Sequence, residues 1–448
     1  VALLGNEGKA AMHFSLDVRR ARKGDCLLLH FGAKTDPGLV VIDGGPSSVY
    51  GPHLKPRLLE IKKARKIGQQ PLPVDLLMVS HVDDDHIKGI LDLTRELIEA
   101  QQAHRPQLVQ VLSLWHNSFD TLIDRDPAQL KAAVSGGFGP AALAGGLPDG
   151  ATLPDDVFTK RPDEEVIVDT LKVLASIEQG HRLRVEARRL EFPVTPELEG
   201  KLVLASGRHD PIEIGRGLTF TIVGPMKREL VRLQRKHDDW LKELKKKGKK
   251  PPTAALAAYV DPSVPNLSSI VVMAEAGGKR MLLTGDARGD KILKGLELVG
   301  LLEPGGRLHV DVLKVPHHGS ANNLETDFFR RITADHYVFS GDGEHGNPER
   351  ESLQMLLDAR GEEEKFTIHL TYPIDEIDVE REKDWKTQQG IEKARKVKKP
   401  ATKVRPNWSA EKNGLVAFFA AHKPFAKKVK LVPKDKPHLI DLLDPVPF

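Results

Sequence analysis

Four times in this chain an apolar run ends abruptly in carboxylates, imidazoles or both: "VVIDGG", "LLMVSHVDDDH", "MLLTGDA" and "VLKVPHHGS". Each run has the length and composition of a short buried strand, and each puts its polar residues at the same end. A layered sheet brings such ends to one rim, where loops held by rigid elements carry chemistry. The densest of the four, His81 to His86, contains two histidines and three aspartates. Buried unpaired carboxylates are costly, so this cluster demands either solvent or cations. A capped helix start accounts for the aspartates but for neither histidine. Imidazole nitrogens and carboxylate oxygens at this density suit a divalent ion such as zinc, manganese or iron. On pattern alone, His81, Asp83, Asp85, His86, Asp43, Asp286, His317 and His318 are the candidates.

The rest of the chain is read around them. "HFSLDV", "CLLLHFG" and "GLVVIDGG" are strands, and "PVDLLMVS" is another that leads into a helix spaced by Ile87, Ile90, Leu91, Leu97 and Ile98. Residues 117–215 read as a mid-chain insertion. "LTFTIVGP" is a strand and "MKRELVRLQRKHDDWLKELKKKGKK" a basic amphipathic helix. "SSIVVMAEAGGKRMLLTGDA" reads as a hairpin turning at Gly277–Gly278. "HVDVLKVPHHGS" and "ADHYVFSGD" are further strands ending in polar residues. Strands in two batches, each followed by helices, point to two packed sheets with helices outside. The expected division is residues 1–116 and 216–375 as the halves of one α/β body, with 376–448 as a basic C-terminal extension. "KARKVKKPATKVR" in that extension reads as a solvated loop or arm, while "HLIDLLDPVPF" is apolar enough to dock on the body.

"SHVDDDH" is similar to the HxHxDH signature of the metallo-β-lactamase superfamily, with Asp83 replacing the second histidine. Taken with "LLTGDA" and "VPHHGS", it resembles the soluble hydrolase domain of bacterial competence (ComEC-type) DNA-uptake proteins and their stand-alone relatives. The opening "LDVRRARKGDCLLLHFG", followed by "VIDGG", resembles the start of that branch, which reads LDVGQGD. The resemblance implies an αββα sandwich and two divalent ions, zinc or manganese. It places His81 and Asp83 on one ion and Asp85 and His86 on the second, with Asp286 bridging. His317 completes the second site, and His318 shares that duty or donates a proton. Asp43 orients the loop, and Asp85 or the bridging Asp286 is positioned to orient a metal-activated hydroxide. Asn266 stands where the superfamily supplies another histidine, and exchange of imidazole for oxygen shifts the preference toward manganese. Ser320, Asn322 and Asn323 are placed to bind substrate oxygens, and His345 reaches the substrate from near the position of a histidine that precedes proline in that branch. His116 reads as a structural histidine.

The function implied is a metal-dependent hydrolase, by preference a phosphodiesterase or nuclease acting on nucleic acid or nucleotides. The alternatives are hydrolysis of a lactone, thioester or other carbonyl compound, and a non-catalytic scaffold in a multi-protein assembly. Sixty-seven basic and 63 acidic residues leave a net charge of only +4, so nucleic-acid contact falls to the basic segments 227–250 and 393–405. The single cysteine, Cys26, excludes an internal disulfide and a cysteine-rich zinc site, and fits a reducing compartment. No apolar run reaches the roughly 20 residues of a membrane span and no signal peptide is visible, so cytoplasmic placement is expected.

Overall fold

A computed structural model describes residues 12–117, 179–207, 211–227 and 268–448. Most of the expected insertion, Asn266, and the basic helix from 228 onward lie outside the described residues. The first half of the chain supplies β1 (Met12–Val18), β2 (Leu27–Ala33), β3 (Asp36–Ile42), β4 (Leu72–Val74), β5 (Leu76–Val79), β6 (Val109–Val111) and β7 (Leu114–His116). The second supplies β8 (Ile212–Gly215), β9 (Leu218–Gly224), β10 (Val271–Ala276), β11 (Lys279–Leu283), β12 (Leu308–Lys314), β13 (Ile332–Phe339), β14 (Thr367–Leu370), β15 (Val429–Leu431) and β16 (Leu439–Asp441). They form a six-stranded sheet in the order β16-β1-β2-β3-β5-β7, an eight-stranded sheet running β15 to β8, and a small β4-β6 pair. The fold is mixed α/β.

Strand alternation decides what each face meets. Leu27, Leu29 and Phe31 of β2 join the core shared with the second sheet. Leu28 joins the opposite cluster, with Leu58 and Ile61 of α1 (Lys55–Ala64) and Ile87, Ile90 and Leu97 of α2 (Asp84–Gln102). Between the sheets, Trp115 of β7 meets Phe220 of β9 edge to face, with ring centroids 5.9 Å apart. The hairpin between β10 and β11 turns on Gly277 and Gly278, both with positive φ (57° and 78°), the backbone a tight two-residue turn requires. From β11 to β15 the pairing is parallel, which demands crossovers. Helices α3 (Gly289–Leu298), α4 (Thr326–Arg331), α5 (Arg350–Arg360) and α6 (Ile374–Lys398) lie within them.

The C-terminal region is woven into both sheets. β15 pairs with β14 and β16 with β1, each closing an outer edge. The stretch expected as a loop from Lys393 is helical to Lys398, then folds back. Gln389 donates to the Arg405 carbonyl at 2.9 Å, and Arg405 pairs with Glu392 and stacks over Trp385. Lys, Gln, Glu and Arg favour helix, so this run of charge extends the helix that precedes it. No helix among the described residues is long and apolar enough to cross a membrane.

Three histidines join these layers near their edge. His336 of β13 lies 3.1 Å from His369 of β14, whose other ring nitrogen is 2.7 Å from His438, just ahead of β16. Burial lowers all three pKa values, that of His369 to about 2, with help from its two histidine neighbours and Lys430. Lys279 and Arg19 act in the same direction, against Asp335, Asp311 and Asp17. Because the folded pKa lies below the unfolded one, the unfolded chain binds more protons once the pH falls below about 6.5. The stabilisation is complete above that pH and drains away beneath it. The expected result is a melting temperature that falls from pH 7 to pH 5, with a shallower fall in His369→Leu. Equal slopes for both proteins would exclude the histidine chain as the cause.

Candidate metal centre

The loop after β3 is pressed against the first turn of α2. Gly44 donates its N–H to the His86 carbonyl and Gly89 donates to Gly45, both at 2.8 Å. A β-carbon on Gly89 would fall 2.0 Å from the Gly44 oxygen, so only glycine permits this approach. The approach sets Asp43, itself in the left-handed region at φ 57°, beneath the site. Asp43 accepts from the Ser80 N–H at 2.7 Å, the Ser80 hydroxyl at 2.5 Å and His86 Nδ1 at 2.9 Å.

The three aspartates after β5 diverge. Asp83 occupies the position before α2 without capping it through its side chain, so the helix-cap explanation does not account for it. Its Oδ2 lies 3.6 Å from His81 Nδ1. Asp84 pairs outward with Lys88. Asp85 turns inward, 3.4 Å from His318 Nε2 and 3.9 Å from His86 Nε2.

At the centre, Asp286 Oδ1 sits 3.1 Å from His86 Nε2 and 3.3 Å from His318 Nε2. All three atoms are buried, and none makes a hydrogen bond. The tautomers follow from what lies behind the rings. A carboxylate can only accept, so His86 donates from Nδ1 to Asp43. Ser340 donates its hydroxyl to Asp25, so its oxygen accepts from His318 Nδ1 at 2.9 Å. In the neutral imidazole each Nε2 therefore presents a lone pair toward Asp286, the arrangement a carboxylate–histidine–metal relay uses.

Sequence reading missed Asp25. It belongs with His86, Asp286 and His318 to a buried group whose ligand-type atoms all lie within 4.8 Å of one another. Its oxygens are already engaged, by Lys314 Nζ at 2.5 Å and by Ser340, on the Nδ1 side of His318. We therefore place it behind the ring and Asp85 in front. The available signal was the Gly-Asp turn of "KGDC", in the stretch resembling LDVGQGD.

Burial disfavours charge here, yet the neighbouring groups override it. Despite desolvation, Asp286, Asp85 and Asp43 raise His86 well above its usual value, and Asp286 and Asp25 push His318 up to about 10. Against the same desolvation, the adjacent imidazoles hold Asp85 and Asp286 low, and Lys314 does so for Asp25. Four clustered aspartates, Asp25, Asp43, Asp85 and Asp286, against one lysine leave a deficit of positive charge. Protons on the histidines or a cation between them would fill it, and the orphaned Nε2 and Oδ1 atoms fit the cation.

The other expected residues fall around this group. His81 is buried with neither ring nitrogen hydrogen-bonded, edge-on to His86 at 5.5 Å between centroids. His317 and His318 both have positive φ (47° and 53°), a strained pair whose rings meet edge to face, with centroids 5.9 Å apart. Of the pair expected to complete the second site, His318 belongs to the buried group, while His317, 27% exposed, reaches the other Asp286 oxygen at 3.6 Å. Ser320 donates to Glu349 at 3.2 Å, and Asn322 is exposed. His345 lies at the surface, 3.2 Å from Lys23. His116 is buried at the end of β7, beside Val79. Asn266 lies outside the described residues.

Exchanging Asp43 for Asn tests the clamp. An amide nitrogen facing Nδ1 would move the imidazole proton to Nε2, and cobalt or zinc affinity is expected to fall about 10–100-fold, the usual cost of losing such a partner. Unchanged affinity would remove Asp43 from the site.

Stretches of 88 and 72 residues are similar to the human microtubule-associated protein 1A, at 35% identity, and to the Drosophila melanogaster microtubule-associated protein futsch, at 38%. The matches span 19% and 15% of this chain but only 3% and 1% of those proteins. Residues 20–182 match the sequence model of the metallo-beta-lactamase superfamily, a span that includes Asp25, Asp43 and the whole His81–His86 loop. The stretch that matches this superfamily's model, residues 20–182, supplies two of the four residues of the buried cluster, Asp25 and His86, and the later part of the chain supplies Asp286 and His318.

Proposed function

We propose that the chain is a metal-dependent hydrolase of αββα architecture that cleaves phosphodiesters in nucleic acids or nucleotides. The observation that carries the metal reading is the convergence of His86 Nε2, His318 Nε2 and Asp286 Oδ1, buried and without hydrogen bonds, on one point. His86, His318, Asp85 and Asp286 would hold one divalent ion. His81 and Asp83 would begin a second site, with Asp286 between them. Such ions supply Lewis acidity and make water a nucleophile near neutral pH. The protein's own part is positional. Asp43 and Asp25 fix the two imidazoles, Asp85 orients the attacking water as its acceptor, and His317, at the more exposed edge, stands nearest an incoming substrate.

The loops flanking the site favour phosphodiesters over acyl compounds. Arg22 and Lys23, just before Asp25 and paired with Glu344, and Ser320, Asn322 and Asn323, just after His318, are polar, where a lactone or thioester site needs an apolar cleft. Lys396 and Lys403 are exposed, and basic residues of this kind suit a nucleic-acid backbone. The test is elemental mass spectrometry on full-length protein purified without chelator, combined with turnover of bis-p-nitrophenyl phosphate and of a thioester in manganese or zinc. Metal with phosphodiester turnover that vanishes in His81→Ala supports the proposal. Thioester turnover alone would shift the substrate class.

A second reading, favoured by the likeness to microtubule-associated proteins, makes the domain a scaffold whose ions only stabilise it. Bound metal without turnover of either substrate, together with an Asp85→Ala variant that keeps its biological effect, would favour that reading.

A further inference from the structure

Lys314 ends β12 just ahead of the "VPHHGS" loop, and its side chain is 1% exposed. A buried ammonium is costly unless paired and hydrogen-bonded. Its partners here belong to the loops that carry the cluster. Nζ lies 2.5 Å from Asp25 Oδ2 and donates to the Gly285 carbonyl at 3.3 Å, one residue before Asp286. The Lys314 carbonyl accepts from the Thr284 hydroxyl at 2.7 Å, at the start of the same turn. One route from Lys314 thus runs through Asp25 and Ser340 to His318 Nδ1, and the other through Gly285 to Asp286.

We infer that Lys314 is a positioning residue, a built-in cation that ties the Asp286 turn to the His318 clamp and confines Asp25 to the back of the site. This rests on the cation-binding reading above and adds a claim that reading does not contain. Asp25 has the right chemistry for a ligand and the right distance, but its Oδ2 cannot turn toward a metal without stranding a buried ammonium. Lys314 thereby decides which carboxylates face forward: Asp85 and Asp286 do, Asp25 does not.

The test reads cobalt(II) binding to the full-length protein by its visible absorption, independently of hydrolysis. Lys314→Met leaves Asp25 as an unpaired buried carboxylate and unclamps His318. Cobalt affinity is expected to fall about 10–100-fold, with an altered spectrum and retained circular dichroism. Asp25→Asn/Lys314→Met contains no buried unpaired charge, and its amide oxygen still accepts from Ser340. It is expected to return to within a few-fold of the wild type. Wild-type affinity in Lys314→Met, or no cobalt binding in the double variant, would overturn the assignment, the latter by making Asp25 a ligand. Where Lys314→Met does not fold, the double variant alone decides by the same criterion. A wild-type protein that takes up no cobalt overturns the metal reading and this inference with it.

Discussion

Asp286→Ala is expected to abolish both cation binding and hydrolysis. Asp286 is the carboxylate on which His86, His318 and His317 converge, at 3.1, 3.3 and 3.6 Å. Its loss should exceed the roughly 10–100-fold that removal of a partner behind a ligand costs, because the central oxygen itself disappears. Isothermal titration with zinc and manganese, alongside phosphodiester turnover, measures both consequences. A variant that retained the wild-type metal content would place the ions elsewhere. The folded state should survive, since the turn carrying Asp286 keeps its backbone links, including the bond from His317 N–H to the Gly285 carbonyl at 3.1 Å.

Gly24→Ala should damage stability and the site together. A β-carbon built at Gly24 falls 1.8 Å from the Asp85 carbonyl oxygen, the same oxygen that accepts from the Asp25 N–H. Backbone must therefore move on one side, and both candidates for movement carry a site carboxylate. Overpacking of this kind costs about 1–3 kcal/mol, readable as a lower urea midpoint, and displacement of Asp85 should weaken cobalt binding in the same protein. Gly390→Ala, in α6 with open space around it, is the control. Alanine there should be neutral or stabilise by up to about 1 kcal/mol. A Gly24→Ala protein as stable as that control would mean the loop has room the geometry denies it.

Much of this was readable from the residues because strand ends announce themselves. Apolar runs closing on Asp43, His81–His86, Asp286 and His317–His318 placed those residues on one rim before any coordinates. Other features left weaker traces. Asp25 follows a glycine in what reads as an ordinary turn, and its importance comes from Lys314 and Ser340, which lie 289 and 315 residues away. Lys314 looks like the polar end of a strand, since sequence gives no sign that a lysine there has lost its solvent. The division between a buried His318 and a more exposed His317 depends on two left-handed backbone angles that no side-chain pattern encodes. β15 and β16 have three residues each, too few for alternation to show, so the docking expected of the apolar C-terminus was legible but the strands that close both sheets were not.

The distance in sequence between these partners has a consequence for folding. Ser340 reaches back across 315 residues to Asp25, and β1, near the start of the described chain, pairs with β16 near its end. Contacts of such long range make folding slow, and no early fragment holds a complete set of ligands. A cation would therefore bind the finished fold and not its parts. By mass action, a free concentration of 100 times its dissociation constant would stabilise the folded state by about 2.7 kcal/mol. Chelation should then lower the unfolding midpoint of both sheets at once, so thermal melting with and without chelator reports occupancy of the site before a substrate is known.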